Sequence, residues 1–226
     1  MILTEKDLLA IRAKFAVMGQ HTSTMFSEAI SAIRKTDLDL AKAVIVKDGL
    51  VDTLENEITT MCLTFLGLKA PKAQELRFAV AVSRLASEIE RIADHATVVC
   101  REGLSSHLGP IWLKDPKFDQ LANLASGMVN RALDSFLSAD DQAYLTLIED
   151  DKKVGEIQKQ LNESLVSHVS KDPEKALDII ALINIVRRIE RVADHAKNIS
   201  IMVPYVTKGI IVRHNPEVAQ DDDNDD

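Results

Sequence analysis

The sequence predicts an all-α chain of two tandem three-helix bundles related by an internal repeat, and three observations predict it. First, only 8 glycines and 6 prolines occur in 226 residues, and aromatics make up 4%. That composition suits a helical core of Leu, Ile, Val and Ala, not a turn-rich sandwich or barrel. Second, apolar residues recur at three- and four-residue spacing, as in Leu40, Val44, Val51, Leu54, Ile58, Met61 and Phe65. This is the periodicity of amphipathic helices. Third, Glu90-Arg91-Ile92-Ala93-Asp94-His95-Ala96 returns 100 residues later as Glu190-Arg191-Val192-Ala193-Asp194-His195-Ala196. A weaker match, Asp48–Leu54 with Asp151–Ile157, lies upstream at an offset of 103.

The elements follow in order. Proline removes an amide donor and clashes with the preceding turn, so Pro71, Pro110, Pro116, Pro173, Pro204 and Pro216 mark boundaries. A first helix spans about 4–34. A second, about 37–67, begins after Asp37, a residue suited to capping. The third, about 72–102, carries the stripe Phe78, Val82, Leu85, Ile89, Ile92, Ala96, Val99. Residues 103–116 (GLSSHLGPIWLKDP), with two glycines and two prolines, read as a linker. Helices at about 117–138, 140–169 (from Asp140) and 173–203 repeat the pattern. Residues 204–213 form a short apolar appendage, and 214–226 an acidic tail expected to be disordered. The domains are thus 1–102, a linker at 103–116, 117–213, and the tail.

Several function classes are disfavoured. Formal charge is −8, of which the five tail aspartates supply all but −3, and no basic stripe suggests nucleic acid. The longest apolar runs are five residues, far short of a membrane span. The acidic N-terminal stretch is unlike a secretory signal. Two cysteines, Cys62 and Cys100, are too few for a disulfide framework. A soluble cytoplasmic protein is the expectation. Neither a Gly-rich phosphate loop nor a nucleophile–base pair is evident, and no acidic residue stands three before any histidine, as a di-iron oxidase requires. The chain reads as no enzyme.

What stands out is carboxylate placement. At about 100° per residue, Glu90 and Asp94 share one side of their helix, roughly 100–120° from the core stripe. Asp48, Asp52 and Glu55 share a face of the second helix by the same spacing. If these helices pack together, four or five carboxylates converge on an external groove. Two readings stand: a site for a hard or borderline cation, or solvated charges paired with neighbours such as Arg84 and Arg91. His95 and His195 lie about 140° from Glu90 and Glu190. Each is expected to bond a neighbouring helix, with metal ligation an auxiliary role.

With two three-helix units carrying ERIADHA and ERVADHA, the chain resembles the PhoU family of phosphate-uptake regulators. Asp48-x-x-Val-Asp52-x-Leu-Glu55-Asn-Glu57-Ile, Pro71–Arg77, and Val206-x-Lys-Gly-x-x-Val-Arg-His214 are similar to that family too. The resemblance implies a cytoplasmic homodimer that links a phosphate ABC transporter to its sensor histidine kinase. Such a regulator negatively controls the phosphate-starvation response. It also implies multinuclear iron or zinc, or another divalent cation, on Asp48, Asp52, Glu90 and Asp94 in one half and Asp151, Glu190 and Asp194 in the other. In the second half Gly155 stands for Asp52 and Gln158 for Glu55, so unequal sites are expected, with Glu156 or a neighbouring chain lending support. Metal storage or sensing is the alternative function. Trp112 and residues 204–212 are candidate contact surfaces.

Overall fold

The computed structural model describes residues 2–105, 115–169 and 172–212. Trp112, most of the expected linker and the acidic tail lie outside the described residues. Within them the chain is helical: α1 (Ile2–Lys35), α2 (Leu38–Lys69), α3 (Ala73–Ser105), α4 (Pro116–Ser138), α5 (Ala143–Val169), α6 (Ala176–Ser200) and a short α7 (Val203–Thr207). A 3₁₀ turn at Pro173–Lys175 leads into α6. The appendage at 204–213 is partly this α7, with Pro204 in its first turn, where a missing amide costs nothing.

Local chemistry sets the boundaries. Asp37 caps α2, its carboxylate accepting from the Leu40 amide at 2.9 Å. Asp115 does the same for α4 through Lys117 N at 2.8 Å. The fifth helix starts three residues later than Asp140 because the Asp140 carboxylate instead accepts from Gln142 N in a turn. The turns after α1 and α4 are copies of each other. Thr36 (φ 55°) and Ala139 (φ 58°) are left-handed, and the next amides, Asp37 N and Asp140 N, donate back to Ala32 O and Ser135 O. That is the six-to-one bond of a Schellman ending, made here without glycine.

Helices α1–α3 pack on one another, as do α4–α6; the units meet through α3 on α6 and α1 on α4. One hydrophobic core runs through all six. Phe136 of α4 joins the halves, its ring 5.0 Å from Phe15 of α1 and 6.1 Å from Phe78 of α3. Ser23 donates to Asn130 at 2.6 Å across the same junction. Beyond α7 the chain returns to the start of α5, where Val212 is buried against Tyr144 and Thr207 donates to Asp141. No helix among the described residues is long and apolar enough to cross a membrane.

Candidate functional site: two unequal carboxylate grooves

The groove between α2 and α3 arises because both helices turn their apolar stripes inward. Val44, Val51, Leu54 and Ile58 of α2 and Leu85, Ile89, Ile92 and Ala96 of α3 are buried. The polar positions between them are left facing out, side by side. Asp52 and Asp94 are exposed, while Asp48, Glu55 and Glu90 are half-buried. Their fields overlap. Burial, then Glu55, Asp94 and Asp52, push the Glu90 carboxyl above its ordinary value, against the relief that Arg91 supplies. Asp48 is raised by burial, then by Asp52 and Asp94, with Arg101 opposing. Among the described residues none of the five carboxylates makes an ion pair. The group is held without a direct ion pair, with only the fields of Arg91 and Arg101 opposing its repulsion.

The groove between α5 and α6 brings together Asp151, Glu190 and Asp194, and fills the middle differently. The Lys197 ammonium donates to Asp151 at 2.7 Å and to Asp194 at 2.6 Å. Burial works against that charge, yet the two carboxylates hold it above its ordinary value. Glu190 is raised by burial and then by Asp194 and Asp151, offset by Arg191 and Lys197. Glu156 is exposed and Gly155 leaves open space where a side chain would stand. At the position equivalent to Lys197, α3 has Thr97, whose hydroxyl donates back to Asp94 O. The sequence reading missed this exchange. Extending the repeat alignment one residue past its last match would have found it.

The donor chemistry decides how each groove suits a metal. Hard oxygen ligands with no directly paired counter-charge fit a divalent cation in the first groove. Among the described residues, however, no three His, Cys, Asp or Glu side chains stand close enough to share one ion. Binding there requires carboxylate rotamers to swing inward. The second groove does not fit, because its cation is already a lysine.

The two histidines are placed elsewhere, on the seam where α3 crosses α6. Glu88 accepts from His195 Nδ1 at 2.8 Å and from Asn198 at 3.2 Å, while Asn184 lies 3.5 Å from Glu102. These pairs make the helices antiparallel. The His95 and His195 rings stand 5.3 Å apart. His195 thus bonds a neighbouring helix as expected. His95 does not: it is 6% exposed and its Nδ1 has no partner. Burial, then the fields of His195, Arg188, Arg191 and Arg91, lower it to about 4.

The profile of the PhoU domain matches residues 15–102 and again 118–203, the two helical units. The chain belongs to the PhoU family. It is 30% identical over 222 residues to the phosphate-specific transport system accessory protein PhoU homolog of Pseudomonas putida, covering 92% of this chain and 82% of that one. Identity to the Escherichia coli K12 accessory protein PhoU is 29% over 211 residues, with 92% and 86% covered. The crystal structure of PhoU from Pseudomonas aeruginosa superposes with a TM-score of 0.85 at 27% identity, covering 91% of this chain and 99% of that one. The Streptococcus pneumoniae PhoU structure, at 23% identity and the same TM-score, shares the fold. The tandem PhoU units therefore confirm the all-α repeat architecture read from the motif.

Proposed function

We propose that this chain is a non-enzymatic cytoplasmic regulator of phosphate uptake and phosphate homeostasis. It acts as an adaptor between a phosphate ABC transporter and its sensor histidine kinase, and holds the phosphate-starvation response down when phosphate is plentiful. The observation that carries this reading is the two-unit match, over nine-tenths of the chain, to accessory proteins of the phosphate-specific transport system. Signalling by contact needs only an affinity for partners that differs between their states, and a rigid helical surface supplies it. In this reading the chain works as a homodimer. A divalent ion, iron or zinc included, is held by Asp48, Asp52, Glu90 and Asp94 with Glu55 beside them. The ion offsets their repulsion and fixes α2 against α3.

The test is complementation. In a bacterium lacking its own PhoU, the chain is expected to restore repression of a phosphate-starvation reporter in phosphate-rich medium. It should also co-purify with the transporter ATPase subunit and the sensor kinase. A folded, normally accumulated chain that leaves the reporter fully derepressed overturns the proposal.

Metal storage or sensing is the second reading, favoured by the unpaired carboxylates of the first groove. An Asp52→Ala/Asp94→Ala variant that keeps repression intact while losing metal separates the two roles.

A further inference from the structure

Negative charge in the sequence is concentrated in residues 214–226, which hold Glu217, Asp221, Asp222, Asp223, Asp225 and Asp226 and neither lysine nor arginine. The opposite sign gathers on the outer side of the α3–α6 seam. Arg187 and Arg191, one turn apart on α6, are exposed, and Arg188 beside them is half-buried. Arg91 joins them from α3. The Glu88–Asn198 and Glu102–Asn184 contacts set the two helices antiparallel, with Arg91 level with His195 and so about 6 Å along the axis from Arg191. Arg91 and Arg191 each precede a histidine by four residues, and the half-turn that relates antiparallel repeats leaves both on one side of the seam. None of the four arginines makes an ion pair among the described residues, although like charges one turn apart repel. The carboxylates nearest in sequence, Glu90, Asp94, Glu190 and Asp194, lie in the two grooves, and Asp194 is held by Lys197.

The described residues end on the same side of α6. Val212 is buried against Tyr144, and Ile201 packs against that pair. Ile201 continues the helical backbone just past the end of α6. Its offset from Arg187 returns it to within about 40° of that arginine round the helix, roughly 21 Å along the axis. Arg191 is nearer, at about 15 Å. Extended chain from Val212 spans up to about 30 Å to Asp221 and about 46 Å to Asp226. The aspartates therefore reach the arginines of α6, and Arg91 across the seam.

We propose that the acidic segment of this same chain, residues 217–226, docks on the outer side of the α3–α6 seam, its aspartates set against Arg91, Arg187, Arg188 and Arg191. Each exposed ion pair is weak, and salt screens it. The tether supplies what single pairs do not, because a segment anchored a few residues away stays at an effective concentration on the order of millimolar. That advantage makes the chain's own segment the occupant. Docked, it covers the basic face until a more strongly anionic surface displaces it. The contact depends neither on metal in the grooves nor on the phosphate-regulator reading.

Paramagnetic broadening of NMR signals in the full chain tests the contact. Cys62 and Cys100 are buried, so a nitroxide attached through Gln220→Cys labels one place. At about 50 mM salt, the backbone amide signals of Arg187, Arg188 and Arg191 should lose at least about half their intensity relative to that of Lys42, an exposed lysine on α2. At about 500 mM salt the loss should disappear. The double variant Arg187→Gln/Arg191→Gln should abolish it at low salt, read at the Arg188 amide, and Lys42→Gln should leave it unchanged. No broadening, even broadening over the whole surface, broadening centred on another face, or a loss that survives in the double variant would each overturn the proposal. A mixture of nitroxide-labelled chain with isotope-labelled, nitroxide-free chain identifies the source. Broadening in the mixture as strong as that within one labelled chain would assign the contact to a second copy and overturn the intramolecular docking.

Discussion

Lys197 of α6 lies 2.7 Å from Asp151 of α5, so the second groove carries its own cation. The same ammonium reaches Asp194, and no equivalent exists at Thr97. Beside the Gly155 and Gln158 exchanges, Lys197 is a third difference between the two grooves.

Metal loading should follow that difference. In dialysis against manganese or iron(II), the unaltered chain is expected to retain metal through the first groove only. Lys197→Thr with Gly155→Asp should add metal at the second, since Gly155 has open space around it. Mass-spectrometric metal content per chain decides it; equal loading of both grooves without substitution would contradict the assignment.

Removing one charge from the first groove should stabilise the metal-free fold. A carboxyl raised in the folded state, as Glu90 is, takes up its proton at higher pH folded than unfolded. Its penalty is present at neutral pH and is relieved as pH falls through the folded pKa. Glu90→Gln is therefore expected to gain about 0.5 kcal/mol at pH 7, discounted for solvent screening. Denaturant melts at pH 7 and below 4 should show the gain shrinking with acidity.

Two of the three glycine-free left-handed helix endings, at Thr36 and Ala139 (the third is Ala70), share the same turn and hold recoverable strain. A left-handed conformation costs a residue with a Cβ roughly 1–2 kcal/mol, more so when branched. Thr36→Gly and Ala139→Gly should each stabilise by about 1 kcal/mol after the flexibility that glycine adds to the unfolded chain. Thr36→Gly should gain more. Urea unfolding midpoints measure both.

Alkaline stability should depend on the two thiols. Burial pushes Cys62 up to about 11, and burial with Glu28 nearby does the same for Cys100. The unfolded thiols release protons at lower pH than the folded ones. Stability is thus complete below about 9 and is lost as pH rises toward 11. A Cys62→Ala/Cys100→Ala variant will be less stable at pH 7 from lost packing, but its decline between pH 9 and 11 should be shallower. Both native thiols should resist alkylation until the chain unfolds.

Phe136→Ala should cost about 3–5 kcal/mol, the usual range for a buried aromatic. Because Phe136 touches Phe15 and Phe78 of the other unit, both units should melt in one earlier transition. Two separated calorimetric peaks in the unaltered chain would show that the shared core does not couple them.

Much of this architecture is legible in the residues. Proline positions and the Asp37 cap locate helix ends within a few residues, and the seven-residue repeat reveals the duplication. Periodicity also places Glu90 and Asp94 beside the core stripe, not in it. Helical spacing says which residues share a face but not what stands opposite that face. Lys197 reaches Asp151 only because α5 lies alongside α6, and nothing in the local sequence shows this. The seam is hidden for the same reason: a neighbouring-helix bond is expected for His195, but that Glu88 of α3 makes it shows only once α3 and α6 are laid antiparallel.

The Phe136 junction also has a consequence for the chain's connectivity. Each unit closes around its own three helices, yet carries half of an aromatic contact that only the other unit completes. A chain cut within residues 106–114 would yield two fragments, each presenting a face shaped for its mate. Co-expressed, they should reassemble without a covalent connection, making this protein a natural template for fragment complementation.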